Sequence, residues 1–120
     1  MRIAIGGMKK NEMENAIKRV LPEAKTVITT DIEAVSMLKN DDVDYYFGAC
    51  ESGGGAAISI LIGMIGYSKC CTVAKNGQKA NLENVKKLVN EGKIVFGMAH
   101  DGIDETVPVL MQALTETKGA

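Results

Sequence analysis

The chain has no tryptophan, and two phenylalanines and three tyrosines are its only aromatic residues. That leaves too little material for a platform on which nucleic-acid bases stack. A dominant charge is missing as well. The formal net charge is −1, so no global field draws in nucleic acid or an anionic membrane surface. No apolar run reaches the roughly 20 residues that cross a bilayer, and the run Ala56–Gly66 stops well short. The opening residues, MRIAIGGMKKNE, lack the apolar core and cleavage site of a secretion signal. Three cysteines, two of them adjacent (Cys70 and Cys71), make no disulfide framework and match no zinc spacing. An odd number of free thiols fits a reducing cytoplasm, where the chain is expected to reside. These absences argue against nucleic-acid binding, membrane insertion and a metal site.

What is present is an ordinary globular mixture, 46% hydrophobic and 24% charged over 120 residues. That length supports one α/β domain over residues 1–120. Strand and helix signals alternate from end to end. RIAI at 2–5, KTVIT at 25–29, DYYFGA at 44–49, KCCTVA at 69–74 and KIVFGM at 93–98 read as strands. Between them, residues 11–21 carry apolar residues at helical spacing, with Pro22 as a stop. Thr30 and Glu33 form a capping box that opens a second helix through about Leu38. Asn81 caps a further amphipathic helix, and the last runs from about Asp104 to Thr115, with Pro108 placed in its first turn.

Five βα units predict a three-layer α/β/α architecture with a five-stranded parallel sheet, flavodoxin-like or Rossmann-like. The favoured strand order is 2-1-3-4-5. The helix at 56–65 is apolar on nearly every face, so it is expected to be the most buried, within the domain or against a second copy. Gly63 and Gly66 would let another helix approach closely. A homo-oligomer, a dimer through helix 56–66, is therefore expected.

Open α/β sheets bind ligands beyond the carboxyl ends of their strands, where the strand order reverses. Two glycine clusters, Gly6-Gly7 and Gly53-Gly54-Gly55, follow strands 1 and 3 on either side of that crevice. Glycine there lets backbone amides approach an anion at the start of a helix. Glycines that only bring a helix and a strand together would look the same. The loop is neither a Walker A motif nor GxGxxG, so no nucleotide cofactor is implied, nor any other.

Cys50 ends strand 3, where the following helix start favours thiolate and the adjacent Glu51 opposes it. Ser52 can donate to a ligand or cap the helix. His100, in Met98-Ala99-His100-Asp101-Gly102, is the one imidazole and a candidate acid–base partner. In the expected order it sits two strands from Cys50, roughly 10 Å away. Lys75 and Lys79 flank Asn76-Gly77 after strand 4, and Lys75 can balance a ligand's charge. Arg2 and Arg19 fall outside the crevice. Cys70 and Cys71 read as buried core thiols.

The segments RIAIGG, DYYFGACESGGGAAISILIGMIGYSKCCTVAK and EGKIVFGMAHD resemble the YhfU-like bacterial family, which implies a bacterial α/β protein and no particular reaction. The stretch Cys50-Glu51-Ser52-Gly53-Gly54-Gly55 is also similar to the Cys-Gly-Thr-Gly-x-Gly loop of B-type ribose-5-phosphate and galactose-6-phosphate isomerases. That resemblance implies Cys50 as the base that moves a proton between sugar carbons, Ser52 in place of the threonine, and the amides of Gly53 to Gly55 around enediolate oxygens. The chain departs from those enzymes in Gly7-Met8, where they carry Asp-His, in Glu51 for a glycine, and in lacking their phosphate-binding arginines. The expected ligand is a small anionic, sugar-phosphate-like metabolite, with a non-catalytic assembly module as the alternative.

Overall fold

Residues 1–117 are described by a computed structural model. The strands are β1 (Arg2–Gly7), β2 (Lys25–Ile28), β3 (Tyr45–Cys50), β4 (Cys70–Ala74) and β5 (Val95–Ala99). The helices are α1 (Lys10–Val20), α2 (Asp31–Lys39), α3 (Ser59–Ile65), α4 (Leu82–Asn90) and α5 (Ile103–Thr117). All strand pairs are parallel, so the predicted three-layer, Rossmann-like α/β/α architecture is observed. Caps work where the sequence places them. Thr30 Oγ1 accepts from Glu33 N at 3.2 Å, and Asn81 Oδ1 accepts from Asn84 N at 3.0 Å. Glu33 does not reach back to Thr30 as in a full capping box; its carboxylate accepts from Thr29 Oγ1 at 3.0 Å.

The strand order corrects the expected one. It is β2-β1-β3-β5-β4, with β5 beside β3 and β4 at the edge. Burial explains the choice: β3 and β5 are buried at every residue, whereas the middle of β4 and most of β2 are partly exposed. Register supplies a second reason. Phe47 pairs with Phe96, and Gly6, Gly48 and Gly97 line up in one row across the three central strands. On one face Phe47 and Phe96 meet edge to face, 5.9 Å between ring centres, among apolar residues of α1, α4 and α5. On the other face the glycine row makes room for two large side chains. The Tyr46 ring lies against Gly6 and Gly48, and Ile58 lies against Gly97.

That second face is covered only by α2 and α3, and the helix after β3 is not the most buried one. A 3-10 turn occupies Ala56–Ile58, and α3 itself has seven residues, of which only Leu61 is buried. Ile60 and Met64 are 38% and 56% exposed, and Tyr67 beyond them is 77% exposed. The edge position of β4 is the cause, since α3 crosses at the margin of the sheet with no helix on its outer side. Gly66 ends the helix at φ 117° rather than lying within it. Pro108 also differs from expectation. α5 starts at Ile103, which places Pro108 in its second turn and leaves the Asp104 carbonyl without a helical donor.

Candidate functional site

Right-handed crossovers send α1 and α4 to one face of the sheet and α2 and α3 to the other, and α5 packs on the first face with α1 and α4. The loop after β3 therefore lies between the loops after β1 and β5. Cys50 pairs in register with Ala99, so His100 follows directly on the neighbouring strand. The separation of two strands expected for these residues is reduced to one, about 4.8 Å.

Cys50 is 7% exposed and is wrapped by its own glycine loop. The Gly53 amide donates to its sulfur at 3.1 Å. Burial pushes this thiol up, but hydrogen bonds from the amides of Ala57, Gly53, Gly55 and Ser52 outweigh it and hold the pKa below the ordinary value. The Gly53 amide is thus turned toward the sulfur. The other thiols differ. Burial raises both, Cys71 to about 12, and Cys70 donates to the Gly66 carbonyl at 3.4 Å, in keeping with core thiols.

His100 has one nitrogen, Nδ1, buried without a hydrogen-bond partner. Its Nε2 lies 3.9 Å from Glu51 Oε1, a carboxylate otherwise in solvent. An unsatisfied buried imidazole nitrogen is uncommon and gives the pair a free proton acceptor or donor. Ser52 Oγ accepts from the Gly54 amide at 3.2 Å and leaves its own hydroxyl proton uncommitted.

The glycines separate by cause. A Cβ on Gly6 would run into the Tyr46 ring, and one on Gly7, at φ 74°, would run into the Ala49 carbonyl. Gly53, at φ 76°, sits 2.6 Å from the Ala74 carbonyl when a Cβ is added. Packing accounts for these three. Gly55 has nothing within 4 Å, and Gly54 only Ser52 Oγ at 3.1 Å. These two border a groove of about 400 Å³ along the open edge of β4, which Lys75 and Thr72 also line. Lys75 further borders a cavity of about 190 Å³ shared with Lys79, Asp101 and Gly102. A hollow of about 480 Å³ lies at the opposite end of the sheet against Met1 and Asp44 and holds no nucleophile or base of this kind. Chemistry, not size, therefore selects the β3 terminus.

Both arginines are paired elsewhere, Arg2 with Asp44 at 2.8 Å and Arg19 with Asp104 at 2.7 Å. Two residues not singled out by the sequence also matter here. Tyr46, fully buried, donates its hydroxyl to the Ala57 carbonyl at 3.3 Å and so supports the glycine loop from below. Asn76 bridges the loops after β3 and β5. An Asn-Gly turn signal marks the position of Asn76, but nothing local in the sequence marks its partners.

This arrangement is that of an open-sheet α/β protein with a thiol and an imidazole at neighbouring strand ends. The chain belongs to the family described as protein of unknown function DUF2620, whose model matches residues 1–114. It is 39% identical over 114 residues to the uncharacterized protein YhfU of Escherichia coli strain K12, covering 94% of this chain and 97% of that one. The YhfU protein of Shigella flexneri matches to the same extent. Two solved structures share the fold. A 4-deoxy-L-threo-5-hexosulose-uronate ketol-isomerase complexed with a tartrate superposes with a TM-score of 0.70 at 16% identity, over 97% of this chain and 64% of that one. The type B ribose 5-phosphate isomerase of Trypanosoma cruzi gives 0.64 at 13% identity, over 94% and 82%. No helix among the described residues is long and apolar enough to cross a membrane.

Proposed function

We propose that this protein binds a small anionic, sugar-phosphate-like metabolite beside the loop Glu51–Gly55 and moves a proton between adjacent carbons of it. One observation carries the reading: a buried thiol held by backbone amides, one strand away from an imidazole with an unsatisfied nitrogen. In this scheme the Cys50 thiolate takes the proton next to a carbonyl, and the electron pair moves onto the carbonyl oxygen to form an enediolate. The thiol then returns the proton to the neighbouring carbon, while His100 moves a proton between the two oxygens. Gly54 and Gly55 are the glycines with free surface for the ligand, and Lys75 supplies the balancing charge. Gly6 and Gly7 hold the opposite wall. The fold shared with two sugar isomerases supports this class of substrate.

The test is a thermal-shift screen of sugar phosphates, other phosphorylated metabolites and small carboxylates on wild type and Gly54→Val. Ligand at 100 times its dissociation constant stabilises by about 2.7 kcal/mol. A hit in wild type that vanishes in Gly54→Val, with the unliganded melting temperature kept, supports the site. No hit with any class overturns it.

A second reading rests on α3. Ile60, Met64 and Tyr67 leave an apolar face uncovered, and a Cβ on Gly63 would meet nothing within 4 Å. We infer that a second copy of the chain covers helix 56–66. In the non-catalytic alternative, assembly through this face with a protein partner is the whole function. A monomeric mass in solution would sink the self-association, and a ligand hit would sink the alternative.

A further inference from the structure

Asn76 ties the loop that wraps Cys50 to the loops after β4 and β5. Asn76 donates its backbone amide to the Ser52 carbonyl at 3.0 Å. Its side-chain Nδ2 donates to the Glu51 carbonyl at 3.1 Å and to Asp101 Oδ1 at 3.0 Å. Ser52 and Glu51 directly follow Cys50, and Asp101 directly follows His100, so Asn76 joins the two strand ends of the site. The turn that carries it is itself braced. Gln78 N donates to the Lys75 carbonyl at 3.0 Å, and Lys75 N donates to Gln78 Oε1 at 3.1 Å. Gly53 presses on the same connection, where an added Cβ would stand 2.9 Å from Lys75 Cα.

Both hydrogens of one amide group are thus used on two different loops, a task that needs a carboxamide. Aspartate has the same shape and no donor, and would set a carboxylate against Asp101. Serine and alanine cannot span the gap. We infer that Asn76 is a positioning residue: it holds the loop after β3 in the shape that aims backbone amides at the Cys50 sulfur, and holds Asp101 so that His100 stays beside it. The inference rests on the function proposed above for Cys50 but concerns how its thiol is prepared, which is measurable without a substrate.

The experiment is the rate of Cys50 alkylation by iodoacetamide against pH, with the modified residue identified by peptide mass spectrometry to separate it from Cys70 and Cys71. The plateau of that profile reports access to the sulfur, and its midpoint reports the amide cradle. Other ionisable groups on the surrounding segments include Lys9, Glu51, Lys75, Lys79, His100, Asp101 and Glu105, none of which Asn76→Asp removes. Asn76→Asp should move the midpoint to higher pH, so that alkylation near neutral pH falls severalfold, while the melting temperature stays close to wild type. The double variant Asn76→Asp with Asp101→Asn restores one donor between the loops and should bring the midpoint part of the way back. A midpoint equal to wild type in Asn76→Asp overturns the inference. So does an equal upward shift in the double variant and the single one, because the double variant carries the wild-type net charge and its restored donor would then have had no effect. Asn76→Ser breaks both side-chain bonds without adding charge, stands in should Asn76→Asp fail to fold, and should also raise the midpoint; a wild-type midpoint there overturns the inference. A ligand screen that finds nothing would count against the proposed function and leave the midpoint shift standing.

Discussion

The two ends of the parallel sheet carry polar clusters of opposite character. At the amino end of the strands, Arg2 and Asp44 satisfy one another completely. Arg2 places Nη2 2.8 Å from Asp44 Oδ1, its backbone amide 2.8 Å from Oδ2, and Nη1 2.8 Å from the Asp41 carbonyl. At the carboxyl end, a thiol sits among amides, an imidazole nitrogen has no partner, and three loop glycines take positive φ at Gly7, Gly53 and Gly55. A polar network that closes on itself contributes to folding and has nothing left to offer a ligand. One left open keeps polar atoms without partners. A hollow of about 480 Å³ accompanies the closed cluster and is lined by no thiol or imidazole.

The largest expected effect comes from breaking the open end at its centre. Cys50→Ser should lower turnover on a substrate found by the screen by about 10²–10⁴-fold, the range expected for loss of a positioned proton-transfer group. Binding and melting temperature should change little, because the hydroxyl can still accept from the Gly53 amide. Turnover equal to wild type would remove Cys50 from the chemistry. Next in size is a backbone substitution at the rim. Gly7→Ala combines left-handed strain with a collision against the Ala49 carbonyl, and should destabilise by about 3 kcal/mol in urea unfolding. Gly55→Ala meets open space and should destabilise by about 1 kcal/mol from strain alone. Equal losses at the two positions would mean that packing does not distinguish the rim glycines.

The architecture and the caps were legible because they rest on local signals: alternating periodicity, Thr30, Asn81, and glycines after strands. Strand order was not, although a signal existed. The Phe-Gly pairs at 47–48 and 96–97 lie in register, and only side-by-side strands share a glycine row. Order is a long-range property, and no single strand states its neighbour. Within one chain α3 is left partly exposed for the same reason, since an apolar sequence cannot report that its strand lies at an edge. Cys50 and His100 were both visible as candidates, but their adjacency depended on β5 lying next to β3. Asn76 stayed hidden because its partners are 25 residues away on either side.

The smallest effect tests the closed end by pH. The Arg2 guanidinium hydrogen-bonded to Asp44 holds that carboxyl below the usual carboxylate range. A depressed folded pKa means that the pair's stabilisation is fully present above the unfolded value, about 3.9, and is lost as pH falls through the folded one. Asp44→Asn removes this dependence. Below about pH 4 the melting temperatures of wild type and Asp44→Asn should therefore converge, and near neutral pH wild type should lead by about 2 °C, since solvent screens a half-exposed pair. Ligand binding at the other end should be unaffected at both pH values. A change in ligand affinity on Asp44→Asn would show that the two ends are coupled through the sheet, and the separation of a structural end from a functional one would no longer hold.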